Sequence, residues 1–257
     1  MIVKDEALVI NWHGVSNTSR MVLWLTREHG LVATLIKGSL RPKSDFLGQY
    51  DLFYTCELLF YLRDQRDWFY TRECTPLELR SELRTRWRHC AAASYLAHLV
   101  QAVLPRNVPA PELFSLLETS WDLLAEGANP APLVVWTELQ VLRDTGHQPA
   151  LHRCIECGLP YGDAFQGLYF DHERGGIVCH RCRDPHAHHE ERLSPAVRAL
   201  LERWLNETDP QRALRFHSSP QQIREIHHLM QHFIAWHLHL DPQARTTAVS
   251  WMERSGG

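Results

Sequence analysis

The chain has 257 residues, 44% apolar and 22% charged, with a formal net charge of −3. There is material for one large domain or two to three small ones. The charge excludes nucleic-acid binding by overall electrostatics, and no apolar run approaches the ~18 residues of a membrane-crossing helix. Seven cysteines, an odd count, and an acidic Met1-Ile2-Val3-Lys4-Asp5-Glu6 start argue against a disulfide framework and a signal peptide, so a cytoplasmic chain with no membrane partner is expected.

Five short apolar runs, at 7–11, 21–26, 31–36, 53–62 and 68–71, are separated by Gly, Asn and Asp and predict five strands. Arg27-Glu28-His29-Gly30 falls between the second and third, where Gly30 can take the positive φ of a hairpin turn. A small closed sheet of this size fits an OB-like barrel over residues 1–76, and periodicity alone does not separate it from an SH3-like one.

From Pro76 the period becomes helical: Leu77, Leu83, Trp87, Cys90, Leu96, Leu99, Val100, Val103 and Leu104 share one spacing until Pro105 stops it. The second half is apolar nearly all round, which predicts a buried central helix. Helices follow at 110–126 and 131–143, with Gly127 and Gly146 as C-terminal stops. Ser194-Pro195 and Ser219-Pro220 each read as an N-cap with a first-turn proline, starting helices to about Asn206 and Leu240. The predicted class is α+β multidomain. Residues 77–150 and 184–242 form two parts of a helical domain, interrupted by a cysteine module at 151–183, and 243–257 form a polar tail expected to lack order.

Cys154-Ile155-Glu156-Cys157 and Cys179-His180-Arg181-Cys182 enclose 21 residues, a spacing that offers four thiolates to one tetrahedral ion. Zinc is expected, iron being the other metal that takes four thiolates, and the closed ligand set assigns the ion a structural role. The cysteine segment, about 151–183, is rich in Gly and turn residues and has too little apolar material to fold without its metal. Cys56, Cys74 and Cys90 read as buried thiols.

Seventeen histidines invite a second site. On the last helix, however, Ile223, Ile226, Met230, Phe233, Ile234 and Leu238 define the buried face and leave His228, His232 and His239 on the solvated side. His186, His188 and His189 read as a solvated loop, and no acid or third ligand is visible beside His228 and His232, so no dedicated site is assigned. Catalytic signatures also fail. Neither Gly-x-Ser-x-Gly nor His-Glu-x-x-His occurs. Gly38 to Ser44 departs from a phosphate loop at Pro42 and is one residue short, and His189-Glu190-Glu191 lacks the downstream cysteine pair of a deaminase. An enzyme is therefore not expected.

The net charge hides a local excess: Arg20, Arg27, Lys37, Arg41 and Lys43 face one acid, Glu28, between residues 20 and 43. Lys37-Gly38-Ser39-Leu40-Arg41-Pro42-Lys43-Ser44 places three of these cations on a Gly/Pro loop leaving a barrel strand, a pattern that suits phosphates. Trp12, Trp24, Phe46 and Tyr50 are either base-stacking platforms or barrel core.

In this order and spacing, the chain resembles the bacterial recombination mediator RecO family over most of its length. The stretches are Leu25-Thr26-Arg27-Glu28-His29-Gly30, Lys37-Gly38 with Arg41-Pro42-Lys43-Ser44, Ala93-Ser94-Tyr95-Leu96-Ala97 and Leu113-Phe114-Ser115-Leu116-Leu117. They continue with Glu138-Leu139, Gly146, Pro149, Leu151, the two cysteine pairs with Gly158, Phe170, Gly175-Gly176, and Leu193-Ser194. The resemblance implies an N-terminal OB-fold and a zinc module inserted in a helical domain. It further implies binding of single- and double-stranded DNA, annealing of complementary strands, engagement of single-strand-binding protein through its acidic tail, and work with RecR to load recombinase at gaps in the bacterial nucleoid. Carried over by position, Lys37 and Arg41 match DNA contacts, Lys43 and Arg27 are their neighbours, and the four cysteines match zinc ligands. Val15-Ser16-Asn17 after Gly14 and Trp136 depart from the family's usual glutamate and phenylalanine. Two rival readings are a zinc-stabilised protein adaptor with an OB-like docking domain, and an enzyme centred on the histidine-rich C-terminal half.

Overall fold

The two-residue period of the N-terminal third becomes a closed barrel in the computed structural model, which describes residues 1–63, 67–163 and 165–253. Its strands are β1 (Ile2–Ser16), β2 (Ser19–Thr26), β3 (Gly30–Ile36), β4 (Thr55–Tyr61) and β5 (Phe69–Glu78), in the order β1-β2-β3-β5-β4. β1 pairs with both β2 and β4, and β3 meets β5 in parallel through Thr34↔Phe69 and Leu35↔Tyr70, an OB-type barrel. Val9, Val22, Trp24, Val32, Leu58 and Phe60 fill its interior, and the Trp24 indole donates to Thr34 Oγ1 at 2.8 Å.

Two strands outrun their apolar patterns. β1 is 15 residues long because register shifts at Val9/Asn11 and Gly14/Ser16 bend it between two partners. Its polar Lys4, Asp5 and Glu6 break the alternation that would have revealed it. β5 continues through Pro76, which sits beside the shift at Thr55/Cys56, where a missing N–H is tolerated. Leu77, expected in a helix, therefore stands 55% exposed on this strand. The helices begin later, with a single turn α1 (Glu82–Thr85) and then α2 (Trp87–Val103) and α3 (Pro111–Glu126). At the β2–β3 turn Gly30 has φ 67°, and a Cβ there would lie 1.8 Å from the Val108 carbonyl oxygen, so only glycine fits.

The chain divides into two units, 1–128 and 129–257. The second contains α4 (Pro130–Asp144), a small sheet of β6 (Leu168–Asp171), β7 (Gly176–Cys179) and β8 (Glu190–Arg192), then α5 (Pro195–Asn206), α6 (Pro210–Ala213), α7 (Pro220–His237) and α8 (Pro242–Glu253). Helix α4 is buried along nearly its whole length. Ser194 caps α5 through the Val197 N–H, and Ser219 forms a reciprocal capping box with Gln222 on α7, as their Ser-Pro signatures predict.

The expected tail is corrected. Residues 242–253 are helical because Ala248 and Met252 are buried and Arg245 finds a buried acid. The terminal Gly256-Gly257 lies outside the described residues. No helix among the described residues is long and apolar enough to cross a membrane.

Candidate nucleic-acid interface and metal centre

The loop leaving β3 carries Lys37, Arg41 and Lys43, all exposed. It is pinned at its base by Gly38 N–H donating to Ser19 Oγ at 3.2 Å and Leu40 N–H to the Thr18 carbonyl at 3.1 Å. Gly38 has φ 69°, and the Arg41 side chain lies across it, 3.3 Å from where a Cβ would stand. Among the described residues none of the three cations has an ion-pair partner.

Aromatic faces accompany them. Lys37 Nζ sits 4.5 Å from the centre of the Tyr70 ring, which meets Trp68 edge-on at 5.1 Å. Arg20, paired with Ile36 at the same end of the β2–β3 hairpin, covers the half-exposed Trp12 at 3.8 Å. Of the four aromatics named with the basic loop, Trp24 and Tyr50 are core, and Phe46 and Trp12 pack partly buried against it. Trp68 and Tyr70 went unassigned because β5's alternation cannot say that its parallel partner β3 ends beside a lysine.

In the second unit, the four cysteine Sγ atoms lie within 4.8 Å of one another, and Cys157 and Cys179 are 3.9 Å apart. Bonds of ~2.3 Å in a tetrahedron give an edge of about 3.8 Å, so the donor set fits one ion with no rearrangement of the chain. Tight turns present the pairs: Gly158 N–H donates to the Cys154 carbonyl at 2.9 Å, and Cys182 N–H to the Cys179 carbonyl at 3.0 Å. Burial resists ionisation of Cys154, but backbone N–H groups of Cys157, Cys179 and Glu156 outweigh it and hold the thiol down to about 7. Gly176 is obligatory: a Cβ would meet Ile155 at 2.4 Å. A second close group, Asp171, His189 and Glu190, is served by the Arg174 guanidinium, which donates to Asp171 at 2.5 Å and Glu190 at 3.0 Å. Cys56 and Cys74 are buried in the barrel, both donating towards the Gln49 carbonyl.

Residues 1–80 match the family described as Recombination protein O N terminal, and residues 84–246 match Recombination protein O C terminal. The chain belongs to the RecO family. A Bacillus pumilus protein named DNA repair protein RecO is 27% identical over 237 residues, 91% of this chain and 88% of its own length. Proteins of the same name from Heliobacterium modesticaldum (30%, covering 88% and 81%) and Cutibacterium acnes (27%, covering 91% and 94%) are similarly related.

Within this RecO-family chain, Arg27 is not brought together with the loop cations. It sits at the opposite end of the β2–β3 hairpin from Arg20 and Ile36. Its Nε donates to Glu6 at 3.0 Å, its Nη atoms to Glu118 at 3.1 Å and Ser115 at 3.2 Å, and it lies 4.2 Å above the Phe114 ring. These contacts tie the barrel to α3 and occupy its donors. Arg20, which belongs to the local basic excess but not to the loop motif, stands with the loop.

Proposed function

We propose that this chain is a DNA repair protein of the mediator type. It would bind single- and double-stranded DNA through the barrel loop, anneal complementary strands and help load recombinase at gaps coated with single-strand-binding protein. The observation that carries the reading is the set of three exposed cations, Lys37, Arg41 and Lys43, without an ion-pair partner among the described residues, on an OB-type barrel where Lys37 lies over the Tyr70 ring and Arg20 over Trp12. Cationic grooves with stacking faces hold single strands without sequence preference, and the phosphate term dominates such affinity. Arg20 joins the proposed contacts, and Arg27 serves the barrel. The names of the relatives, DNA repair protein RecO, support the same role.

Annealing needs no covalent step: cations neutralise one strand, release its counterions and let the second approach. The four cysteines would hold zinc as a structural ion, since a four-thiolate shell leaves no position for substrate. RecR and the acidic tail of single-strand-binding protein are the proposed protein partners.

The test is the annealing rate of complementary oligonucleotides, bare and coated with single-strand-binding protein, with the wild type and a Lys37→Ala, Arg41→Ala variant. Acceleration on both substrates, lost in the variant, is expected. No acceleration by folded wild type, together with tight binding to an acidic peptide, would replace this reading with that of a protein adaptor.

A further inference from the structure

We propose that a second metal site, built from His172, Glu191, His228 and His232, lies between the small sheet and α7 and takes a divalent transition-metal ion such as zinc or nickel. On α7, His228 and His232 stand one turn apart, ring centres 5.0 Å from each other. Sequence alone leaves this pair without an acid or a third imidazole. The fold supplies both.

β8 pairs with β6, placing Glu191 opposite Phe170, and His172 comes two positions later, just past the end of β6, its N–H donating to the His189 carbonyl at 2.9 Å. The Glu191 carboxylate thereby reaches two histidines, His172 Nε2 at 3.2 Å and His228 Nε2 at 3.3 Å, while the His172 and His232 ring centres are 5.2 Å apart. Two ligands on a tetrahedral ion with bonds of 2.0–2.1 Å stand about 3.3 Å apart, a spacing that the two Glu191 pairs match, whereas the imidazoles are not yet gathered to that distance from one another and must close by side-chain rotation.

The surroundings fit a ligand site. The four residues line an open cleft of about 580 Å³, shared with Glu173 and His188. His172 is 6% exposed and its Nδ1 is buried with no hydrogen-bond partner among the described residues, so its ring is held by packing and by Glu191. His228 is 64% exposed at its side chain, so the two α7 rings turn about χ1 and χ2 onto an ion that Glu191 and His172 anchor. Three imidazoles and one carboxylate select zinc, copper or nickel over calcium or magnesium, which prefer all-oxygen shells.

The experiment counts zinc per chain by elemental analysis after dialysis of the untagged full chain, and measures the affinity of the more weakly held ion. Glu191→Gln and the double variant His228→Ala, His232→Ala should each hold one ion fewer than the wild type, or bind it at least about tenfold more weakly. A His186→Ala, His217→Ala variant, which removes two exposed histidines outside the four, should match the wild type. Because the readout is a difference, it is independent of whether the cysteines hold zinc and of the DNA-binding reading. Equal counts in the wild type and both cleft variants would overturn the site and leave Glu191 as an ion-pair partner only. Loss in the double variant but not in Glu191→Gln would reduce it to an ordinary i,i+4 histidine pair.

Discussion

Arg245 on α8 grips Glu138 on α4 with both arms of its guanidinium, Nε to Oε1 at 2.6 Å and Nη2 to Oε2 at 3.0 Å, with the side chains 3% and 0% exposed. A third bond runs from Nη1 to the His227 carbonyl at 2.7 Å. Removing one member of a buried bidentate pair strands the other charge, at a cost of about 3–5 kcal/mol. Glu138→Ala and Arg245→Ala should each lower the unfolding free energy from urea denaturation by that much. The double variant should lose clearly less than the sum. Additive losses in the cycle would show that the pair is not coupled.

His227 lies beneath that pair, and burial followed by the Arg245 charge lowers its pKa from 6.5 to about 3. The folded state keeps the ring neutral while the unfolded chain takes up a proton below pH 6.5. Its contribution is therefore complete above pH 6.5 and lost as pH falls towards 3, at about 1.4 kcal/mol per unit. His227→Asn retains an acceptor near Arg245 but does not titrate. Denaturant stability measured between pH 7 and pH 5 should fall less steeply in this variant than in the wild type.

If the four cysteines hold the proposed ion, chelating it, or replacing Cys154 by serine, should remove a tie between the two cysteine turns. Hydrogen exchange should accelerate most at the two cysteine turns, which only the ion would join, and less at β6 and β7, whose Leu168, Phe170, Ile177 and Val178 are buried. The barrel amides should keep their protection. Unchanged exchange near Cys154 after verified metal loss would show that the module folds without it.

The cations of the loop should be visible in salt dependence. Lys37→Ala and Arg41→Ala should each reduce the slope of log K against log salt for single-stranded DNA by about 0.7, roughly 1.4 for both. Arg27→Ala should leave that slope unchanged and cost about 1 kcal/mol of stability, since its half-exposed pairs with Glu6 and Glu118 join barrel and α3. A slope change with Arg27→Ala equal to that of Lys37→Ala would return Arg27 to the DNA interface.

Signals confined to a few neighbouring residues were legible. The Ser194 and Ser219 caps, the Gly30 turn and the Gly127 stop depend on backbone geometry within one turn of chain, and each is found where its motif lies. The paired cysteines belong to the same class, because each Cys-x-x-Cys half is made by its own tight turn. Less legible were elements whose pattern is mixed by two partners. β1 bends between β2 and β4, and β5 runs through Pro76 at a register shift, so neither shows clean alternation.

The sequence by itself determined the strand and helix periods, the caps, the four-thiolate ligand set and the basic loop, all of which are short-range consequences of side-chain type and spacing. Only the tertiary structure decided which distant groups meet. Arg245 crosses 107 positions to Glu138 and turns a polar tail into a helix. Glu118 takes Arg27 away from the loop, and Glu191 joins His172 to His228. A charge or an imidazole carries no mark of its partner along the chain. Its role is set by the low-dielectric contacts it enters once the apolar faces have packed.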